Sequence, residues 1–509
     1  MWSDNRIHRL GEGIDRRMAL NNPEYPGGAL WDLVNMVYTR DSEEPEKMRG
    51  TARIGSTDLG GAVSGLFDYD EGTRLIASAT DGKIYERAAG DFSQSTNGTG
   101  FDTTTTTRWS GGMFYGATTE ANLLVISNGI DSPKKYTSGA GVSALGGSPP
   151  STGNFGVSFI GRWWLAAGDT LSYSAVNDVE DWSTGGGGGS IQIDRGSGDI
   201  TGLHVFAGNL IIFKRRKVFR ILPVSSITQV SVRELSSGIG CVSHYSIAEG
   251  KDSTLYFQSD NGVAAIVPTT ATGGFYVSNV SGRIKPILDL RDMSNQATSW
   301  GVYNEDRGEY YLQYSTSGVA PTRGVIANDA RGRRQLRWTR HDHSGLTAGT
   351  VYRSSSQELQ VVGNSTGQIY QMHSGDDRDS LAYTGRLISP GYGQGAPTRM
   401  KRYGPVWVNF LTNGAYDLTV RLNLGRYQMP TPAGTQTSIT GGSADGWGEG
   451  VYGVALWGGQ VSRGRYARPF KVSRGTHLQI ICETTGVDQW FQINGLVLQY
   501  AVRGNTIAA

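Results

Sequence analysis

From about residue 60 to 375, short apolar runs alternate with polar or glycine-bearing turns. Each run is followed by a turn holding Gly, Asp or Asn and by a second strand that often ends in an aromatic residue. LIASATDGKIYER begins at Leu75, LLVISNGIDSPKKY at Leu123, WWLAAGDTLSYSA at Trp163, LIIFKRRKVFRIL at Leu210, LYFQSDNGVAAIV at Leu255, YYLQYSTSG at Tyr310 and LQVVGNSTGQIYQM at Leu359, so successive anchors lie 48, 40, 47, 45, 55 and 49 residues apart. A hairpin unit recurring at this period is the pattern of propeller blades. A small sheet of this length cannot bury its apolar faces alone, and stacking sister sheets around an axis buries both. The pairs Asp81-Gly82, Asn128-Gly129, Asn261-Gly262 and Thr366-Gly367 supply residues that tolerate positive φ in tight hairpins.

After this body the pattern changes. Residues 376–404 are polar and punctuated by Gly and Pro, which predicts a linker. Beyond it, YDLTVRLNL (416–424) puts Tyr416, Leu418, Val420, Leu422 and Leu424 on one face, and PVWVNFL (405–411), HLQIICET (477–484) and NGLVLQYAVR (494–503) continue as strands. The expected fold is all-β: an extended N-terminal arm and first strand (1–58), a β-propeller-like body (59–375) and a C-terminal β-sandwich or jelly roll (405–509). About seven blades are counted. Six or eight also fit, because 290–345 reads ambiguously, and a large sandwich with accidental spacing is the alternative.

Composition narrows the class. Gly is 73 of 509 residues, charged residues are 18% and aromatics 10%. That suits many short strands joined by tight turns and excludes coiled coils and helical bundles. The net charge is +2, so no bulk basic field draws nucleic acid. Cys241 and Cys482 stand alone and form neither a disulfide framework nor a CxxC metal site. No apolar run is long enough to span a membrane, and the first residues lack an apolar leader core.

Chemistry-bearing motifs are few. His341-Asp342-His343 is the one close histidine pair, with no third ligand evident. SATDGKIYE (78–86) partly resembles the Asp-box turn of propeller glycosidases, a folding element. No G-x-S-x-G, P-loop, H-E-x-x-H or dinucleotide fingerprint occurs. No catalytic residue, cofactor or metal is expected. The densest basic cluster, Lys214-Arg215-Arg216-Lys217, falls between two apolar runs and predicts a hairpin tip, read either as a solvated turn or as a contact with an acidic partner subunit or DNA phosphate. Arg331-Gly332-Arg333-Arg334 and Arg399-Met400-Lys401-Arg402 are smaller versions. Trp447 and Trp457 lie in a Gly-rich loop and are candidates for an intersubunit contact.

Several stretches resemble structural proteins of short-tailed bacteriophages. In the arm these are Gly13-Ile14, Pro23 and Pro26, Asp32-Leu33-Val34-Asn35-Met36, and Arg53-Ile54-Gly55. GRWWLAAGDTLSYSAVNDVEDW (161–182) and LHVFAGNLIIFKRRKVFRILP (203–223) are similar to tail nozzle proteins. The resemblance implies a propeller with added β-domains that assembles as a homo-hexameric nozzle at the distal end of the tail. It implies a tail adaptor ring and tail fibres as partners, and transient, non-specific contact with double-stranded DNA in the lumen. The location implied is the virion tail, after synthesis in the host cytoplasm and with no membrane insertion by this chain. No sharply defined gating loop is present. Two other functions fit the same residues: a glycan-binding or glycan-cleaving propeller, and a tail-hub or adhesin-anchoring protein of a long-tailed phage.

Overall fold

The computed structural model describes residues 4–502 except 21, 23, 41, 117–121, 224–229, 252, 270–273, 330–334, 355–356, 395–397, 414–415, 426–434, 441–461 and 469–473. The fold is all-β and propeller-like. Four-stranded antiparallel sheets follow one another along the chain. They span residues 63–94, 110–144, 155–192, 200–237 and 248–279. A further group, Trp300–Asn304 to Arg337–His341, belongs to a larger sheet. The last is made by Leu346–Ser354, Gln357–Asn364 and Ile369–Met372 and is completed by Thr51–Arg53 from the N-terminal arm, with Tyr370 opposite Arg53. The body therefore begins at residue 51 rather than 59, and its first and last segments meet in one sheet.

Each repeat anchor falls on the second strand of its sheet, and the apolar runs are continuous because both faces are buried. In Asn209–Lys214, Leu210 and Ile212 pack with Trp164 and Leu171 of the preceding sheet, whereas Ile211 and Phe213 pack with Leu255 and Phe257 of the next. Trp163 and Leu165 face Phe114 and Val125, while Trp164 and Ala166 face Leu203. Leu75 and Ala77 meet Ala348 and Val361 across the join between the first and last sheets. One strand thus serves two cores, and no sheet is stable without its neighbours.

The innermost strands converge, and glycine recurs in them: Gly65, Gly111, Gly156, Gly202, Gly301 and Gly349. At Gly349 a Cβ would stand 2.2 Å from the ring of Trp300, which is 2% exposed and donates its Nε1–H to Leu346 O at 3.0 Å. Gly349→Ala is expected to lower stability by about 2 kcal/mol through overpacking. Gly27→Ala, whose Cβ would meet nothing within 4 Å, serves as control. Equal urea midpoints for the two variants would remove this account.

The segment 376–404 is not a linker. Gly385–Ile388 forms a strand between Asp32–Val34 and His477–Thr484, because its apolar residue Leu387 (0% exposed) completes a buried face. Asp32–Val34 also pairs in parallel with Arg337–His341. The result is a nine-stranded sheet that runs from Trp300–Asn304 through Asp32–Val34 to Thr435–Thr440. A seven-stranded sheet built on Lys401–Thr412 and Phe491–Val502 lies against it. Val408, Phe410, Ile493 and Leu496 share one core with Val420, Ile480 and Leu387. That core continues into Tyr256, Tyr310 and Leu312 of the ring. The arm is therefore woven through the molecule. Asn35, at φ 51°, turns the chain from the nine-stranded sheet into Met36–Tyr38 of the seven-stranded one. Its Nδ2 donates to Asp342 Oδ1 (2.7 Å) and Thr384 O (2.6 Å). Asn is among the few residues that adopt this conformation readily.

Candidate functional site

The basic run sits at a hairpin tip between Asn209–Lys214 and Lys217–Ile221, but it is not a free basic patch. Lys214 is fully buried, with its Nζ donating to Asp194 O (3.0 Å) and Gly198 O (2.7 Å). Burial lowers its pKa. Lys217 pairs with Asp194 at 2.6 Å and Glu234 at 3.7 Å. Arg215 and Arg216 reach Asp260 at 3.0 and 3.5 Å. Arg215, Arg216 and Lys217 thus face three carboxylates brought by other segments, Lys214 is held by backbone carbonyls, and Arg216, 79% exposed, is the one that projects furthest. Exposed pairs of this kind contribute little stability but cancel most of the tip's field.

Lys401 is likewise buried, donating to Arg399 O and Thr476 O, and burial brings its pKa down to about 8. Arg331-Gly332-Arg333-Arg334, Trp447 and Trp457 lie outside the described residues. His341 stacks on Tyr311 with ring centroids 4.2 Å apart and exchanges a 3.0 Å hydrogen bond with its hydroxyl. No group of three His, Cys, Asp or Glu suited to a metal occurs among the described residues. Asp81 of the Asp-box-like turn accepts from Lys83 N (3.2 Å) and Tyr85 Oη (2.5 Å), which is a turn-stabilising role. Among the described residues no helix is long and apolar enough to cross a membrane.

A concavity lies where the inner strands meet. A cavity of about 560 Å³ is lined by residues of every inner strand, from Ser64 to Val351. A second, of about 360 Å³, opens beside it and is lined by Thr106, Asn128, Asn154, Phe155 and Ser243 among others. Arg108, His244 and Tyr245 line both and form the partition between them. The Tyr245 hydroxyl donates to Arg108 O at 2.9 Å. Leu203 N donates to His244 Nδ1 at 3.4 Å, which leaves the ring proton on Nε2, and burial lowers the His244 pKa to about 3. On the other side His204 Nε2 stands 3.7 Å from Glu249 Oε2. Sequence reasoning missed all five residues, because none belongs to a local motif. The signal that was available is the recurring inner-strand glycine, which marks the axis on which they converge.

No family model and no curated protein matches the chain. Among solved structures, one described as "Structure of U3-55K" is similar at 8% identity with a TM-score of 0.42, covering 64% of this chain and 98% of that one.

Proposed function

We propose that this chain is a non-catalytic virion structural protein, the subunit of a homo-hexameric tail nozzle through which phage DNA leaves. In this reading it is a seven-bladed propeller, closed by Thr51–Arg53, with a C-terminal β-sandwich. The supporting observation is the continuity of the body. The nine-stranded sheet and the shared core join the ring and the C-terminal sheets into one piece. Such a subunit suits a tube that must keep its shape under load. The phage-like residues Asp32-Leu33-Val34-Asn35-Met36 form the joint itself.

The conduit in this proposal is the space between copies arranged with closed symmetry, not the axis of one propeller. A cavity of about 560 Å³ partitioned by Arg108 and Tyr245 has no room for a duplex. The largely cancelled charge at the Lys214–Lys217 tip also suits DNA that must slide, since each neutralised phosphate adds salt-dependent affinity. An adaptor ring above and fibres beside the ring are the partners this reading entails.

The test is assembly. Mass photometry and negative-stain imaging of the protein, alone and co-expressed with tail components, should show closed rings of about six copies. A chain that stays monomeric in both settings, or that decorates another surface as isolated copies, overturns the proposal.

A further inference from the structure

Arg108 is 8% exposed and lines both axial cavities. Its backbone carbonyl is taken by Tyr245, but no hydrogen bond or ion pair to its guanidinium is found among the described residues. The second cavity, of about 360 Å³, has no carboxylate in its lining. The first has Asp68 and Glu249, neither of which bonds Arg108. Asp68 accepts from Gly72 N at 2.9 Å and Arg353 N at 3.4 Å, and Glu249 stands beside His204. Burial lowers the Arg108 pKa to about 10, so the group still carries its charge at neutral pH. A charge with no protein partner beside open cavity space is met there by water or by an anion, and an anion would pair it directly.

The surroundings specify that anion. One cation balances one negative charge, and the planar guanidinium fork matches a carboxylate with two parallel hydrogen bonds. A phosphate dianion would need a second cation, and His244 beside it is held neutral. One wall of the cavity is aromatic: Phe155 lies 4.6 Å from His244 and 6.2 Å from Tyr245, centroid to centroid. The lining also includes Thr106 and Asn154. A hydroxylated pyranose ring that carries one carboxylate and packs its C–H face on an aromatic wall would use all three features, and about 360 Å³ accommodates a ligand of that size.

We propose that the space beside Arg108, Phe155, His244 and Asn154 binds a small carboxylate-bearing ligand of the hexuronic acid class, the carboxylate seated on Arg108 and the ring against the aromatic wall. The site is independent of the nozzle reading, since it lies within a single chain.

The experiment measures binding of glucuronate, acetate, glucose and inorganic phosphate to the full chain by calorimetry and by the shift in melting temperature. Glucuronate is expected to bind and stabilise, acetate to do so more weakly, and glucose to bind roughly thirtyfold more weakly than glucuronate for want of the charge-assisted pair. Arg108→Met should abolish glucuronate binding. It should also raise the melting temperature of the unliganded protein, because it removes an uncompensated buried charge. Asn154→Ala, which leaves the charge in place, should weaken glucuronate but not acetate. The proposal is overturned if neither carboxylate moves the melting temperature, if binding survives Arg108→Met, or if phosphate binds as tightly as glucuronate. A loss of stability in unliganded Arg108→Met would assign the residue a structural role instead.

Discussion

Between pH 7 and pH 5.5 the protein is expected to lose stability, with the melting temperature falling by a few degrees. The cause is four histidines held neutral by burial: His244, His341, His343 and His373. Burial brings His244 and His343 to about 3 and takes His341 and His373 well below the ordinary imidazole range. Their charged neighbours reinforce this. Arg378 faces His341 and His343, and Arg307 faces His373. Glu309 lies 3.7 Å from His373 but is already bonded by Arg307 at 3.0 Å. One ring nitrogen in each of His341, His343 and His373 has no hydrogen-bond partner.

A histidine whose folded pKa is depressed takes up its proton only in the unfolded chain. Its contribution is complete above about pH 6.5 and is lost as pH falls below that value, by about 1.4 kcal/mol per unit. Four such groups withdraw about 5 kcal/mol by pH 5.5. Glu46 and Asp68, whose pKa values burial raises, bind protons on the folded side and return part of it. Paired carboxylates such as Asp15 and Asp194, held low, lose their contribution only below about pH 4. The window from pH 6.5 to 5 therefore belongs to the histidines. His343→Gln should flatten the stability-against-pH curve by about 1.4 kcal/mol per unit in that window. A curve that keeps its slope in this variant would show that burial does not hold the ring neutral.

The ring body was legible because its physics is local. A strand buried on both faces must be apolar at every position, and a hairpin must turn on Gly, Asp or Asn. Leu75, Leu123, Trp163, Leu210, Leu255, Tyr310 and Leu359 all mark such strands. The same logic placed Leu418, Val420 and Leu422 on one buried face. The joins were not legible, because they depend on pairing between residues hundreds of positions apart. Thr51–Arg53 is only three residues long and carries no alternation, yet it completes the last sheet. Gly385–Ile388 lies in a polar stretch and gains its partners from both ends of the chain. The partners of the basic run were not legible for a related reason. Charge is visible in a sequence, whereas the carboxylates that meet it, Asp194, Glu234 and Asp260, are brought there by other strands. The residues around Arg108 come from separate strands, turns and loops and share no spacing at all.

Removing the Asp32 carboxylate is expected to cost about 3 kcal/mol and to uncouple the ring from the C-terminal sheets. Asp32 is 2% exposed and lies on the strand that carries the nine-stranded sheet across the joint. Its two oxygens accept from Arg340 Nε at 2.7 Å and Nη2 at 2.6 Å, and Oδ1 also accepts from Leu33 N at 3.1 Å. Arg16, stacked over Trp31, approaches Oδ2 at 3.2 Å. One carboxylate thus ties together the arm, the joint strand and the last strand of the ring's sheet. Asp32→Ala leaves two guanidinium groups facing each other with nothing between them, and both side chains are only 23% exposed. Breaking one side of a buried pair costs more than the pair itself contributes, because the remaining charge is stranded. Asp32→Asn keeps an acceptor for Leu33 N and should recover part of the loss. Calorimetric melting is the decisive measurement. The intact chain should unfold with the ring and the C-terminal sheets together, because their core is continuous through Tyr310, Leu387 and Ile480. Asp32→Ala should split that into two transitions, the C-terminal one lower. A single transition at an unchanged temperature would mean that the packed core alone holds the two halves together and that the ion-paired strand contributes nothing to the joint.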